Sequence, residues 1–182
     1  MTKKEVLKEI LSTSLYLLFV LIFTYLLVHF VCQRTEVIGD SMQTTLYDGD
    51  NLMVDKISYR FKDPERFDIV VFPYMYGGNN QRFIKRIIGL PGEHVRIDEY
   101  GIIYINDKAL VENYGKEVIK DPGQAMHGIT LGENEYFVLG DNRNNSKDSR
   151  DPSVGTIDGD IIIGRAWLQI WPLNKIHFIK HK

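Results

Sequence analysis

An apolar run near the N-terminus restricts the folds open to this chain of 182 residues more than any other feature. From Leu15 to Cys32 the only clearly polar side chains are those of Thr24 and His29. An α-helix rises about 1.5 Å per residue, so a run of this length crosses a hydrocarbon core about 30 Å thick. We therefore predict a transmembrane anchor over residues 10–32.

The charges on either side of this run predict its orientation. Three lysines precede it, Lys3, Lys4 and Lys8, whereas only Arg34 follows closely. Positive charge stays on the cytoplasmic side of membrane anchors, so residues 1–9 are expected in the cytoplasm and the chain beyond the anchor outside it, in a single-pass protein of the cell membrane. The run exceeds the ~7–15 apolar residues of a cleaved secretory signal, and no small-x-small site follows it, so we expect the anchor to be retained.

Composition argues against several classes of function. The net charge is −2, with acids and bases mixed throughout, which argues against binding to nucleic acid. The single cysteine, Cys32, excludes an intrachain disulfide. His177 and His181 have a helical spacing for metal ligands, but the residues around them are typical of a strand or a tail. We therefore predict neither a metal nor an organic cofactor.

Beyond the anchor the chain carries the pattern of a mostly β protein. Short apolar runs alternate with turn signals such as Asp48-Gly49-Asp50 and Leu90-Pro91-Gly92. The predicted strands are Thr35–Ile38, Asn51–Ser58, Asp68–Phe72, Arg82–Leu90, His94–Ile97, Ile102–Ile105, Tyr136–Leu139 and Asp160–Trp171. The interval 93–135 holds a hairpin and then a long polar loop. We predict that it is a small subdomain inserted between two segments of the main sheet, 33–92 and 136–182.

Lys85 is the residue on these strands whose surroundings favour chemistry. Alternate side chains of a strand share a face, so Lys85 lies between Phe83 and Ile87 as the only charge on an apolar stripe. An unperturbed lysine titrates near ~10.4, and a general base needs a pKa nearer ~7–8. Burial on this stripe and the neighbouring Arg86 are expected to supply the shift, although a lysine whose ammonium reaches water fits the same pattern.

Two polar segments offer partners for this lysine. Ser41 alone is typical of a turn serine, because the closing glycine of a G-x-S-x-G elbow is missing. The loop 140–150 has no aliphatic side chain, which is typical either of a surface turn or of a hydrogen-bonding shell around a neutral amine. The contacts expected in the second case are Ser146 with the lysine, and Asp148 with Arg86 or Arg150.

Four motifs occur in order behind the anchor: GDSMQTTL (39–46), RFDIVVF (66–72), RFIKRIIGLPGE (82–93) and GDNRNNSKDSR (140–150). Together they resemble bacterial type I signal peptidase, and the short chain is similar to its Gram-positive members. The resemblance implies a largely antiparallel β catalytic core with a small inserted β subdomain. It implies a serine endopeptidase that removes N-terminal signal peptides from exported preproteins at the lipid bilayer, with the secretion machinery as a candidate partner.

The same resemblance assigns roles to particular residues. Ser41 is implied as the nucleophile and Lys85 as the general base of a Ser/Lys dyad that works through an acyl-enzyme. The supporting residues it implies are Ser146, which orients the lysine, and the ion-pairing Asp148, Arg86 and Arg150. The positions that match the substrate-binding pockets are Val37, Ile38, Met42, Leu46, Phe83 and Ile84. These pockets are expected to accept small residues at the first and third positions before the cut.

The chain departs from the family pattern beside the serine. Thr44 stands where proline is usual, and Gly39 stands where some members carry an oxyanion-hole serine. The oxyanion is therefore expected to rest on backbone N–H groups, including that of Ser41. Two alternatives stay open: a self-cleaving repressor-type protease with the same dyad, which would carry a DNA-binding region, and a membrane-tethered β module that binds without catalysis.

Overall fold

The computed structural model describes residues 2–181, and its first element is the apolar helix. Helix α1 spans Lys3–Leu26 and continues through a π-helical turn, Leu27–Val31, into the first strand. None of the α1 side chains is buried, and the helix is long and apolar enough to cross a membrane. A helix that is apolar on all sides and exposed along its length is typical of a membrane span. It begins at Lys3, before the predicted anchor, because the lysine-rich first turns are helical as well.

The rest of the described chain is mostly β, and its strand pairs are antiparallel. The strands are β1 Cys32–Glu36, β2 Asn51–Asp55, β3 Ile69–Tyr76, β4 Asn79–Gly89, β5 His94–Ile97, β6 Ile103–Ile105, β7 Lys108–Ala109, β8 Ile129–Thr130, β9 Glu135–Leu139, β10 Ile157–Asp158, β11 Gly164–Trp171 and β12 His177–Phe178. Short 3₁₀ turns occur at Ser58–Arg60, Gly123–His127, Gly159–Ile161 and Leu173–Lys175. The predicted fold class, a mostly β protein behind an N-terminal apolar helix, is confirmed.

The main sheet has eight strands in the order β1-β2-β11-β3-β4-β9-β10, with β12 paired to β11. Strand β11, which comes late in the chain, therefore lies between β2 and β3. The β3–β4 hairpin closes at Gly77 and Gly78, whose φ angles are 58° and 80°. A two-residue turn that matches the twist of its strands needs positive φ at both positions, which glycine adopts without strain.

A second sheet of four short strands, in the order β7-β6-β5-β8, lies within the interval 93–135. Its apolar side chains share one buried cluster with β4 and β9, which includes Ile88, Val95, Ile97, Ile103, Leu131, Phe137 and Leu139. Gly89 permits this close approach, since a Cβ there would lie 2.5 Å from Val95 Cγ2 and 2.8 Å from Leu131 Cδ1. The division of the chain into a core of two segments and an inserted subdomain stays a prediction.

Strand boundaries differ from the predicted ones where local turns compete with the sheet. Strand β11 begins at Gly164 rather than at Asp160, because Gly159–Ile161 forms a 3₁₀ turn. The Asp158 carboxylate caps that turn by accepting from Asp160 N at 2.9 Å. The two-residue strands β7, β8 and β10 are absent from the prediction, since a strand that short shows no alternation of apolar and polar residues, and β12 forms where the sequence is typical of a strand or a tail.

Candidate active site

Ser41 lies on the loop between β1 and β2, and buried apolar side chains hold that loop in place. Val37 joins the loop to the start of β2 by donating from its N–H to Asp50 O at 2.8 Å. Leu46 N donates to Met42 O at 2.9 Å, which closes one helical turn directly after the serine. Met42 and Leu46 are both buried in the apolar cluster behind this turn. These hydrogen bonds and the apolar packing therefore hold the backbone that carries the Ser41 hydroxyl.

Lys85 lies in the middle of β4, between β3 and β9, and is 3% exposed. Its Nζ is 4.9 Å from the centroid of the Phe83 ring and donates to the main-chain oxygen of Ile84 at 3.0 Å. The same Nζ lies 2.8 Å from Ser41 Oγ. The structure thus brings the two residues singled out in the sequence into direct hydrogen-bond contact.

Burial lowers the pKa of the Lys85 ammonium to about 8, while the charges of Asp148 and Asp141 raise it. With that pKa roughly one molecule in ten is neutral at pH 7, against roughly one in a few thousand for free lysine. The Arg86 charge is not among the groups that act directly on this pKa. The Arg86 guanidinium is paired with the buried Asp141 carboxylate at 2.7 Å, so burial supplies the shift.

The polar loop 140–150 is a hydrogen-bonded shell around the serine loop rather than a surface turn. Its buried members are Asp141, Asn142, Arg143, Asp148, Ser149 and Arg150. Asn142 connects the two loops, because its N–H donates to Ser41 O at 3.0 Å and its side-chain amide donates to Asp40 O at 3.1 Å. These bonds fix the backbone on both sides of the Ser41 side chain.

Two buried ion pairs support this shell, and only one of them has the expected partners. Asp148 pairs with Arg150 through Nε and Nη2, each at 2.9 Å. The second oxygen of Asp148 also accepts from Gly140 N at 3.0 Å. The expected contact between Asp148 and Arg86 does not form. Arg86 pairs instead with Asp141, at 2.8 Å through Nε and 2.7 Å through Nη2.

Asp141 and Thr45 are residues of the site that the sequence prediction missed. Thr45 Oγ1 donates to Asp141 Oδ2 at 2.5 Å, so one carboxylate holds both Arg86 and the turn that follows Ser41. The loop 140–150 offers two aspartates, and nothing in their spacing shows which of them meets which arginine. The only sequence feature that indicates Thr45 is its position in the same motif, four residues after Ser41.

Ser146 lies beside the serine loop without a hydrogen bond to the lysine. Its Oγ is buried and has no hydrogen-bond partner among residues 2–181. A Cβ placed on Gly140 would lie 2.2 Å from Ser146 Oγ and 2.5 Å from Ser41 O, so Gly140 is what allows the two loops to meet. The orienting role that the resemblance gives to Ser146 stays a prediction.

A groove of about 880 Å³ opens beside Ser41 and Lys85. Five of the six expected substrate-binding residues line it: Val37, Ile38, Met42, Phe83 and Ile84. Ile38 is 86% exposed, whereas Met42 and Ile84 show only small surfaces. The sixth, Leu46, does not line the groove, because its side chain points into the buried cluster that supports the serine loop from behind.

The histidines near the C-terminal end have other partners than a metal. His177 Nδ1 lies 2.8 Å from Lys175 O, and His181 Nδ1 lies 3.6 Å from Asp68 Oδ1. Residues 2–181 contain no group of three or more His, Cys, Asp or Glu side chains that could hold a metal ion.

A family model described as signal peptidase, peptidase S26, matches residues 9–171. A probable signal peptidase I-2 from Synechocystis sp. is 40% identical over 151 residues, which are 81% of this chain and 66% of the relative, just under two thirds of its length. Signal peptidase I U from Bacillus subtilis is 36% identical over 184 residues, 98% of this chain and 95% of the relative. A crystal structure of a signal peptidase I from Enterococcus faecalis is 37% identical, with a TM-score of 0.47, and covers 57% of this chain and 97% of that chain.

The matched residues include most of α1, the serine loop, β4 and the polar loop 140–150. They therefore contain every part of the site described above. The relative from Bacillus subtilis, a Gram-positive bacterium, is 36% identical over nearly the whole chain. This chain belongs to the signal peptidase family, peptidase S26, and is a serine endopeptidase.

Proposed function

We propose that this chain is a membrane-anchored endopeptidase that removes N-terminal signal peptides from exported preproteins by means of a Ser41–Lys85 dyad. One observation carries the proposal: a buried lysine amine lies 2.8 Å from the serine hydroxyl, at the side of an open groove. The family supplies the reaction class, signal peptide removal by a serine protease. The geometry supports the choice of nucleophile and base.

The two alternatives left open by the sequence lose support. A repressor-type protease would carry a DNA-binding region where this chain has the apolar helix α1. Burial of a lysine amine costs stability. Catalysis explains why such an amine is kept beside a serine, whereas binding alone does not.

In the proposed reaction the neutral Lys85 amine removes the Ser41 hydroxyl proton as Oγ bonds to the carbonyl carbon of the scissile peptide. The resulting ammonium passes that proton to the departing amine nitrogen as the C–N bond breaks, which leaves an acyl ester on Oγ. Lys85 next takes a proton from the water that attacks this ester and returns it to Oγ. The Ile84 carbonyl, 3.0 Å from Nζ, directs the amine throughout.

The negative charge on the substrate carbonyl oxygen needs hydrogen-bond donors. Gly39 has no side chain to offer, and its N–H already donates to Asp48 Oδ1 at 2.7 Å. We assign the role to the backbone N–H of Ser41, which moves with the nucleophile and is held by the bonds from Asn142.

We expect the substrate to lie extended in the groove, as an added strand between residues 37–39 and residues 82–84. Alternate side chains of such a strand enter pockets on one wall. The exposed Ile38 and the small surfaces of Met42 and Ile84 form an apolar wall. A small apolar side chain fits there, and a charged one would lose its hydration without gaining a partner.

The anchor gives the reaction its location. Helix α1 is separated from β1 only by the turn Leu27–Val31, so the groove stays near the membrane that holds the signal peptide. Confinement of enzyme and substrate to one surface raises their effective concentration. We propose that the N-terminus is cytoplasmic and the groove extracytoplasmic, because Lys3, Lys4 and Lys8 lie in the first turns of α1. The secretion machinery remains a candidate partner.

Substitution of each dyad member tests the proposal. We expect Ser41→Ala and Lys85→Met, in the full-length chain in detergent micelles, to lose at least about a thousandfold in kcat/KM for a preprotein. The position of the cut is read by mass spectrometry. Ser153→Ala and Lys108→Met, at exposed positions outside the groove, are the matched controls. Wild-type rates in both dyad variants would refute the assignment, and a rate that depends on His94 instead would indicate a triad.

A further inference from the structure

The guanidinium of Arg86 is held at its edges by hydrogen bonds, and one aromatic residue supports its flat face. Nε and Nη2 donate to Asp141, and Nη1 donates to Phe67 O at 2.9 Å. The ring centroid of Tyr114 lies 3.9 Å from the guanidinium carbon. Hydrogen bonds in the plane resist sliding, whereas a ring against the face resists tilting and adds cation–π attraction in a buried site. Tyr114 therefore keeps Arg86 flat against its carboxylate.

The Arg86–Asp141 pair reaches both members of the dyad. Arg86 directly follows Lys85 on β4, so a tilt of the guanidinium acts on the backbone that carries the lysine. Asp141 precedes Asn142, whose N–H donates to Ser41 O at 3.0 Å. The charge of Asp141 also acts on the Lys85 amine itself. A shift of this pair thus changes both the alignment of the dyad and the electric field at its base.

Tyr114 is fixed from three sides. Its N–H donates to Glu112 Oε2 at 2.7 Å, and the other oxygen of Glu112 pairs with Arg143 at 2.8 Å. Its hydroxyl donates to the main-chain oxygen of His181 at 3.2 Å. Its ring lies 5.0 Å from the ring of Phe67, centroid to centroid. A side chain held in this way can impose its position on the guanidinium beneath it.

We propose that Tyr114 is a positioning residue of the peptidase, whose ring holds Arg86 against Asp141 and thereby aligns Ser41 with Lys85. The inference rests on the dyad proposed above. Tyr114 does not line the groove, so it acts through Arg86 rather than on the substrate. Its hydroxyl has a separate role, since it holds the segment after β12 by donating to the main-chain oxygen of His181. The long polar loop before β8 thus contributes to catalysis.

Two substitutions separate the ring from the hydroxyl. Tyr114→Phe removes only the hydroxyl, whereas Tyr114→Leu also removes the ring and keeps an apolar side chain. In the full-length chain in detergent micelles we expect the Phe variant to keep kcat and KM within about twofold of wild type. We expect the Leu variant to lose about tenfold in kcat with KM unchanged, since substrate contacts are intact.

The pH dependence of kcat/KM distinguishes a positioning role of Tyr114 from a purely structural one, because a purely structural role would leave it unchanged. Wild-type kcat/KM should rise about tenfold per pH unit and level off above about 8, as Lys85 loses its proton. The charged groups near the amine are Asp141, Asp148 and Arg86, and Tyr114→Leu alters none of them. Because Arg86 then neutralises Asp141 less well, we expect the half-maximal pH to rise by about half a unit. That pH does not depend on the amount of folded enzyme, so it is decisive even if the variant is partly unfolded.

Tyr100→Leu makes the same change at a tyrosine that is 70% exposed in the turn between β5 and β6, and it is the matched control. Ser41→Ala, measured alongside, tests the dyad separately. A Tyr114→Leu variant with wild-type kcat and pH profile, beside an inactive Ser41→Ala, would overturn the positioning role and leave the dyad standing. An active Ser41→Ala would overturn the dyad itself. Equal losses in the Phe and Leu variants would assign the effect to the hydroxyl and refute the role of the ring.

Discussion

At Lys85 two effects oppose each other. Burial in the sheet favours the neutral amine, and the carboxylates of Asp148 and Asp141 favour the ammonium. Burial is the larger effect, since Lys85 lies on an interior strand of the sheet, between β3 and β9, and is only 3% exposed. A lysine kept in this state is useful for catalysis and costly for folding, since the unfolded chain would hold its proton more firmly.

This conflict predicts that Lys85→Met stabilises the inactive protein. Below a pH of about 8 the folded wild type must either hold a buried ammonium or give up its proton, and a methionine of similar volume avoids that cost. We expect a gain on the order of 2 kcal/mol in the free energy of unfolding at pH 7. The gain should shrink as pH rises from about 8 toward 10.5, the ordinary pKa of a lysine side chain, because only the unfolded state then binds the proton.

Denaturant unfolding of the full-length protein in micelles, followed by near-UV circular dichroism from pH 6 to 10, measures this difference. Lys108→Met on the exposed strand β7 is the control, with no expected change. A Lys85→Met variant that is less stable than wild type at pH 7 would show that the amine is well solvated in the folded state, contrary to its burial.

At the residue scale the sequence allows some partners to be predicted and not others. Ser41 and Lys85 are predictable because an isolated lysine on an apolar stripe and a serine in a matching motif leave few choices. The pairing of Arg86 with Asp141 is not, since Asp148 stands in the same loop with the same charge. Their positions in the folded loop decide the outcome, because Asp148 turns toward Arg150 and the Gly140 N–H.

At the scale of elements, the junction of β9 with the polar loop decides whether the site can form. Gly140 directly follows β9 and lies close to both the serine loop and Ser146. Position 140 has no room for a side chain, because the main-chain oxygen of Ser41 and the side chain of Ser146 both lie where a Cβ would be.

Gly140→Ala should therefore separate the two loops and reduce activity. The added Cβ would lie 2.5 Å from Ser41 O and 2.2 Å from Ser146 Oγ, and relief of the first contact breaks the bond from Asn142. We expect a loss of about 2 kcal/mol in stability and of at least about a hundredfold in kcat. Preprotein cleavage and thermal unfolding, measured on the same preparation, give both quantities.

Gly132→Ala is the matched control for this change. The atoms nearest its Cβ would belong to the side chain of Glu135, starting at 3.3 Å, so a small shift of that side chain makes room for the methyl group. Similar losses in both glycine variants would mean that the close approach at Gly140 has no special importance for the site.

Element types are easier to predict than element limits. Strand β5 occupies exactly the predicted His94–Ile97, because turn residues flank it on both sides. Strand β11 is shorter than predicted, because the Asp158 cap competes with the sheet for the first residues of the run. Such caps depend on the local geometry of a polar side chain, which the pattern of apolar residues does not predict.

At the scale of the whole molecule, the short turn Leu27–Val31 connects the anchor to the β-rich part. The anchor is predictable because membrane thickness fixes the length of an apolar run. The order of strands in the sheet is not, because β11 pairs with β2 and β3, which lie far from it in the sequence. No α1 side chain is buried, so the remaining chain does not need the helix for its core.

Deletion of residues 2–31 should therefore leave a folded peptidase with reduced access to its substrate. We expect cleavage of a soluble signal peptide analogue within about threefold of the full-length rate. Cleavage of a preprotein inserted in lipid vesicles should fall by at least about a hundredfold, because confinement to the bilayer is lost. Equal rates of both forms on the vesicle-bound preprotein would contradict a role for α1 in bringing enzyme and substrate together.

The place of β11 between β2 and β3 has a consequence for biosynthesis. A ribosome produces β11 after every other strand of the main sheet except β12. Until then β2 and β3 have no strand between them, so the main sheet that carries the serine loop on one side and Lys85 on the other is incomplete. We therefore expect the growing polypeptide to become an active peptidase only after β11 has been translated.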